Sequence, residues 1–498
     1  MSEEDISKIE KEKIKPLHIK SIKLNFVLNT TRMILTFLVP LITFPYVSRV
    51  LLPEGIGKVD FANSIISYFI LFTALGIPTY GIREIARVRD NVEERSKTVW
   101  ELTIVLVVSV LIGYLVYIPT IYLVPQFKTE LLLFFIVSPT LFLSDFSYEW
   151  FFQGIEDQTY ITIRFLIIKI LQVISIFFFV RDSTDYPVYA AASVGFSSLS
   201  TVFNIIYLKK YVRFIPFKSL NIKRHLKSVF IIFSSVVATT IYMHLDVTMT
   251  GFISGDRSTG LYTTANKLIR IIISGVTALG AVMIPRMENF LKTGNKEEYY
   301  RLLNISLGYI LLVSIPCCLG VNALANDIIT IFAGKNYYDA VITIQLLSPI
   351  IIIVGLAYFV GLQILYPYRK EWQYTIAVSI AAVLNIIANS IFIPKFAQNG
   401  AVIGTLIAEL SGLIIQCFFA RKYLKKTDLI SSNSLKYIIA SVIMFLVIKF
   451  IPNFEKNLIL HCVSRIFIGS FVYLLILFLL KEKIISNFFN KLKREKRA

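Results

Sequence analysis

The sequence predicts an all-α polytopic membrane protein of about 14 transmembrane helices: two parallel six-helix lobes around a central cavity, plus two C-terminal helices. Three observations predict it. Apolar residues make up 56% of the 498 positions and charged ones only 17%, more apolar surface than a water-soluble chain of this length can hide. Basic residues gather on alternate loops, and an ordered set of residues recurs after about 203 positions.

A hydrocarbon core of about 30 Å takes roughly 20 apolar residues per helix. Residues 1–23 carry charges of alternating sign and lack the apolar core and small-residue cleavage site of a signal peptide, so they read as a cytoplasmic N-terminal tail. Apolar stretches of spanning length then begin near Leu24, Asp60, Thr98, Glu130, Thr159 and Pro187, which makes 24–208 the first lobe. A basic cytoplasmic linker follows at 209–227. The second lobe, 228–424, holds stretches beginning near Leu226, Gly260, Arg301, Ala340, Trp372 and Gly400. Two more begin near Leu435 and Leu458 within 425–481, and 482–498 is a basic cytoplasmic tail.

With the N-terminus inside, tails and loops on that side hold 37 of the 51 basic residues, the bias expected of cytoplasmic loops. Both termini are therefore expected in the cytoplasm. The net charge of +19 has the size of a nucleic-acid signal, but its residues sit in loops such as Lys209-Lys210-Tyr211-Val212-Arg213 and in the tail Lys491-Leu492-Lys493-Arg494. Such clusters orient helices and rest on anionic lipid headgroups, and no nucleic acid is expected as partner. Cys317, Cys318, Cys417 and Cys462 show neither CxxC nor metal spacing, and His18, His225, His244 and His461 are scattered. No metal site or cofactor is expected.

The repeat fixes the architecture. Gly57, Ala62 and Asn63 meet Gly260, Ala265 and Asn266 at an offset of 203, and Thr73-Ala74-Leu75-Gly76 meets Thr277-Ala278-Leu279-Gly280 at 204. Six spans separate the copies, so both cross the membrane in the same direction. Parallel repeats imply two lobes related by an axis along the membrane normal, with a cavity between them that opens to either face. Prolines at 40, 45, 78, 139, 316 and 349 fall inside spans and are expected to kink them.

A charge at membrane depth costs several kcal/mol facing lipid, so it lines a wet cavity or pairs. These are Arg32, Asp145 and Lys169 in the first lobe and Asp246, Lys267, Arg270 and Glu409 in the second. Lys267 and Arg270, three apart, share one side of a helix. An excess of cations suits an anionic cargo, with guanidinium forks matching phosphate oxygens, which makes Arg32, Lys169, Lys267 and Arg270 candidate binding residues. The competing reading pairs Arg32 or Lys169 with Asp145, and Arg270 with Asp246 or Glu409, to hold helices together. Asp145, Asp246 and Glu409 are candidates for charge pairing or for coupling to H+ or Na+. Arg83 and Arg286, related by the repeat at cytoplasmic helix ends, are candidates for a substrate entrance.

The run Tyr46-Val47-Ser48-Arg49-Val50-Leu51-Leu52-Pro53-Glu54-Gly55-Ile56-Gly57-Lys58-Val59, then Leu75-Gly76-Ile77-Pro78-Thr79-Tyr80-Gly81-Ile82-Arg83-Glu84-Ile85-Ala86, resembles the bacterial O-antigen and capsular repeat-unit flippases of the multidrug/oligosaccharidyl-lipid/polysaccharide exporter superfamily. Phe152-Gln153-Gly154-Ile155-Glu156-Asp157 and Gly260-Leu261-Tyr262-Thr263-Thr264-Ala265-Asn266-Lys267-Leu268 extend the resemblance across spans 1 to 12. It implies a protein of the bacterial cytoplasmic membrane that moves an undecaprenyl-diphosphate-linked oligosaccharide to the outer leaflet by alternating access, with a polysaccharide polymerase and other assembly proteins as further partners.

Two other functions compete. A cation-coupled multidrug exporter of the same superfamily shares the fold but favours an acidic cavity. A polytopic polysaccharide polymerase or glycosyltransferase needs a sizeable catalytic loop, whereas the longest outer connections, Val47 to Val59 and Asn322 to Asp339, lack clustered acids or histidines. No GxxxxGK[ST] loop occurs. The chain therefore reads as a transporter and not an enzyme.

Overall fold

In hydrocarbon each backbone N–H and C=O must find its partner within the spanning segment, which leaves helix as the solution for chains of this pattern. The computed structural model describes residues 22–427, 432–451 and 457–482; the tail readings for 1–21 and 483–498 lie outside the described residues. The described residues are mainly helical, with no strand among them. Among them twelve stretches are long and apolar enough to cross a membrane, against the fourteen read from sequence.

The difference lies in two continuous stretches, Val27–Val88 and Thr239–Lys292, of 62 and 54 residues. Each has the length of two crossings. Each also contains a residue with non-helical backbone partway along a helix: Leu52 of α1 at φ 60°, ψ 174° and Gly255 at φ 78°, ψ −175°. These breaks are 203 residues apart, the offset at which Gly57 recurs as Gly260. A second structural echo links Glu156 and Arg369, both left-handed at φ 60° and 56°. Beside them the Asp157 N–H donates to the Phe152 carbonyl at 3.0 Å and the Lys370 N–H to the Leu365 carbonyl at 2.8 Å.

The chain divides into two compact units, 1–248 and 249–498. In the first, α1 (Ile22–Ala74) packs along α3 (Val92–Leu123) and α8 (Gln158–Phe179), and α9 (Tyr186–Leu208) lies against α8. Between α3 and α8 come α4 (Pro125–Lys128) and one span made of three short helices, α5 (Leu131–Val137), α6 (Pro139–Asp145) and α7 (Glu149–Gly154). Its core joins Phe61, Phe127 and Phe134 to Tyr148, Trp150, Phe151 and Phe152. Where α2 (Ile77–Val88) crosses α7, Gly81 meets the Trp150 ring, and a Cβ there would stand 2.4 Å from it. Only glycine permits that approach. Residues 228–248, read from sequence as the start of the second lobe, pack with the first unit: the Thr248 hydroxyl donates to Ser64 Oγ at 3.0 Å.

The second unit contains the rest of α10 (Lys223–Lys292), then α11 (Lys296–Phe332), α12 (Ala340–Leu347), α13 (Ile350–Val360), a π-helical turn at Gly361–Leu365, α14 (Glu371–Phe396) and α15 (Gln398–Leu424). The final pair, α16 (Ser432–Phe450) and α17 (Leu458–Leu479), packs against α11. Arg465 on α17 binds Asp327 on α11 at 3.0 Å, which ties the last helix to this unit.

Three of the expected kinks are helix starts. Pro78 and Pro139 stand in the first turns of α2 and α6, and Pro349 caps α13. A missing N–H costs nothing there, since first-turn amides have no intrahelical acceptor. Pro40, Pro45 and Pro316 do lie inside helices. Outward faces stay apolar, as on α3, where Leu111 and Leu115 are 65% and 74% exposed, the dress of a helix that meets lipid.

Candidate functional site

The first unit gathers a polar cluster where α1, α7, α8 and α9 meet. Glu149, in the first turn of α7, accepts from Arg32 of α1 at 2.5 Å and from Arg164 of α8 at 2.9 Å. Arg164 is 7% exposed and also donates to Asn204 of α9. One carboxylate thus serves two guanidiniums, and the cluster keeps one net positive charge. Arg32 is a paired residue, with Glu149 in the place expected for Asp145.

Glu149 and Arg164 were missed because each lies within about a turn and a half of a predicted span boundary, where a charge reads as headgroup-level. The clue available was Arg164 itself, five residues before Lys169 on one amphiphilic helix start.

Lys169 differs from Arg32. It lies in the middle of α8 and is half-buried. It donates to the Gln172 amide oxygen at 2.9 Å, and the Gln172 amide donates in turn to Ser193 Oγ at 3.3 Å. It makes no ion pair among the described residues. Asp145 is 2% exposed with Ser144 and Thr73 beside it and likewise makes no ion pair among the described residues. The structure therefore brings Arg32 to Glu149 and leaves Lys169 and Asp145 apart from it.

In the second unit Lys267 and Arg270 lie on one uninterrupted stretch of α10, the first exposed and the second half-buried. Arg270 makes no ion pair among the described residues. Glu409, on α15, is half-buried and interacts with Tyr374. Asp246 belongs to the first unit, 8% exposed beside Tyr68. Arg83 on α2 and Arg286 on α10 are both exposed, and neither forms an ion pair among the described residues. Among those residues no group of His, Cys, Asp and Glu is placed to hold a metal.

A second network secures the linker. Glu101, 1% exposed on α3, accepts from Arg224 Nη2 at 2.6 Å, the Asn221 N–H at 2.7 Å and His225 Nε2 at 2.7 Å. His225 Nδ1 lies 2.7 Å from the Tyr80 hydroxyl of α2. A carboxylate only accepts, so Nε2 carries the proton toward Glu101, and the neutral ring accepts from Tyr80 at Nδ1. Burial holds the imidazole below its ordinary value against the opposing pull of Glu101.

The model of the polysaccharide biosynthesis protein family matches residues 22–291, more than half of the chain, and the model of lipid II flippase MurJ matches 258–476. A putative O-antigen transporter of Escherichia coli (strain K12) is 24% identical over 392 residues, covering 77% of this chain and 93% of that protein. Lipid II flippase MurJ of Bacillus subtilis (strain 168) is 22% identical over 210 residues, 42% of this chain and 37% of its own. Among solved structures, lipid II flippase MurJ in an inward closed conformation superposes with TM-score 0.70 at 19% identity, covering 93% of this chain and 99% of that one. An inward-facing multidrug resistance MATE family transporter of the MOP superfamily gives 0.65 at 14% identity, covering 80% and 98%. These superpositions establish the fold. The proteins so matched are transporters and flippases, not catalytic enzymes. The chain belongs to the polysaccharide biosynthesis protein family and is a transporter of the flippase type.

Proposed function

We propose that this flippase carries an undecaprenyl-diphosphate-linked oligosaccharide repeat unit from the cytoplasmic to the outer leaflet of the bacterial cytoplasmic membrane, by alternating access of its two lobes, in the assembly of an O-antigen or capsule. The observation that carries the reading is a half-buried cation within a spanning helix of each repeat, Lys169 and Arg270, without an ion-pair partner among the described residues. An uncompensated cation at depth is costly to maintain. A diphosphate repays that cost, since its oxygens accept charge-assisted hydrogen bonds from both ammonium and guanidinium. Lys267, three residues from Arg270, adds a second cation to the same stretch.

The pairing of Arg32 with Glu149 gives that residue a different part, holding α1 against α7 and α8. Arg83, midway along the short α2, and Arg286, in the closing turns of α10, are both exposed and suited to a first encounter with a diphosphate. Asp145, buried without an ion-pair partner among the described residues, is the carboxyl group best placed to exchange H+ or Na+ as coupling ion. Polysaccharide polymerase is the partner that such a cargo would meet on release.

The test is flipping of a fluorescent undecaprenyl-diphosphate oligosaccharide in proteoliposomes at matched reconstitution. Lys169→Ala and Arg270→Ala should lose at least tenfold in rate with unfolding temperatures close to wild type, because each removes about 1.4 kcal/mol or more from diphosphate binding. Arg32→Ala should lower the unfolding temperature, since it strands part of a shared carboxylate. Failure of wild type to move this cargo, with export of organic cations down a proton gradient instead, overturns the reading in favour of a multidrug exporter.

A further inference from the structure

The linker between the two repeats is fastened at both ends to the first three turns of α3. At its start, Arg95, 1% exposed, donates from Nη2 to the Tyr211 carbonyl at 2.8 Å, and the Arg213 N–H donates to Ser96 Oγ at 2.9 Å. The Trp100 indole N–H donates to the Arg213 carbonyl at 2.8 Å. At its end Asn221, Arg224 and His225 converge on Glu101, as described above. These are the turns by which α3 enters its span, so the chain between the two attachments is held beside the membrane surface.

That intervening segment, 214–220, is unlike a solvated loop. Phe214 and Phe217 are 72% and 70% exposed. Exposed phenyl rings are ordinary within a span, where lipid covers them, but these two lie between the end of α9 at Leu208 and the span that opens at Thr239. Lys209, Lys210, Lys218 and Lys223 flank them along the chain, all exposed. No acidic residue occurs in the sequence between Asp185 and Asp246, and the nearest acids of α3, Glu94 and Glu101, are engaged by Arg224. Two uncovered rings set among unneutralised lysines, on a backbone pinned at the bilayer edge, match one environment. Its acyl boundary takes the rings and its headgroups take the charges.

We propose that residues 214–220 form a lipid-anchoring loop, in which Phe214 and Phe217 insert into the adjoining leaflet while the four lysines select anionic phospholipid headgroups. Because the loop is bonded to α3 on both sides, insertion fixes the junction of the two repeats at a set depth.

The experiment reads depth directly. A nitroxide at Phe217→Cys, with Ser219→Cys as a second site, is placed in full-length protein whose four native cysteines are replaced. The protein is reconstituted in phosphatidylcholine vesicles with or without phosphatidylglycerol. The expected result is preferential collision with oxygen over an aqueous nickel chelate in the anionic vesicles. That preference should fall in neutral vesicles and in Lys209→Gln/Lys210→Gln/Lys218→Gln/Lys223→Gln, since each lysine at a negative surface is worth roughly fivefold in partitioning. A label open to the chelate in both lipids overturns insertion, and equal shielding in both overturns headgroup selection. Shielding produced by inorganic pyrophosphate in neutral vesicles overturns the assignment in favour of a diphosphate site. No cargo is present, so the result stands apart from that of the transport assay.

Discussion

Leu52 holds a backbone conformation, φ 60° and ψ 174°, that costs a residue with a side chain on the order of 1–3 kcal/mol. Its counterpart in the second repeat is Gly255, which adopts the same conformation without a Cβ to clash. Comparing Leu52→Gly with Leu52→Ala removes the side chain in both cases and isolates the backbone. In an ordinary helix the glycine variant is the weaker by about 0.5–1 kcal/mol; here it should be the more stable by at least that amount in thermal unfolding, and Gly255→Ala should lower the unfolding temperature. An alanine variant of Leu52 as stable as the glycine one removes the strain argument. At this scale the sequence was partly legible. Charges at depth could be found by residue type, but not their partners: Arg32 pairs with Glu149 where α7 starts as a separate short helix after the left-handed Tyr148, a turn of geometry that apolar run-length does not carry. Lys169 was legible for the same reason that makes it interesting, a cation placed mid-span.

At the scale of elements, periodicity and length located nearly every helix, while breaks inside them were harder to read. A proline signals lost hydrogen bonding, yet Pro78, Pro139 and Pro349 begin helices where no bond is lost, and the outer connection read over Val47 to Val59 contracts to one non-helical residue, Leu52. The linker is a further case, since its basic composition was plain and its attachment to α3 was not. That attachment gives it a pH dependence. The folded state holds His225 below its ordinary pKa, so the unfolded chain binds the proton more tightly. The stabilisation is therefore complete above about pH 6.5 and is lost as pH falls from there through the lower folded value. The groups facing the ring are Tyr80 and Glu84 of α2, Glu101 of α3 and the adjacent Arg224. Unfolding temperature should fall as pH drops below about 6.5 in the wild type and fall less in His225→Asn, which cannot take up the proton. Identical slopes for the two proteins in that window would assign the pH dependence elsewhere.

For the whole molecule, two facts from different sources meet. The repeat is visible in sequence at an offset of 203 and again in backbone at Leu52 and Gly255, and with each of the two long stretches crossing twice the copies stand six spans apart and run parallel. On that count the basic linker and the turn at Thr293 are expected on one side of the membrane and the turns at Ser183 and Tyr338 on the other. Positive charge assigns the linker side to the cytoplasm as an expectation, since loops rich in Lys and Arg remain there. Single cysteines test the count and the orientation together. Ser183→Cys and Tyr338→Cys, both exposed in their turns, should react with a membrane-impermeant maleimide in intact cells, while Ser219→Cys and Thr293→Cys should react only after permeabilisation. The four native cysteines are buried or half-buried within helices and set the background. Labelling of Ser219→Cys and Thr293→Cys from opposite sides would mean that the second long stretch crosses once, whereas a reversed pattern would keep the fold and invert the direction of transport.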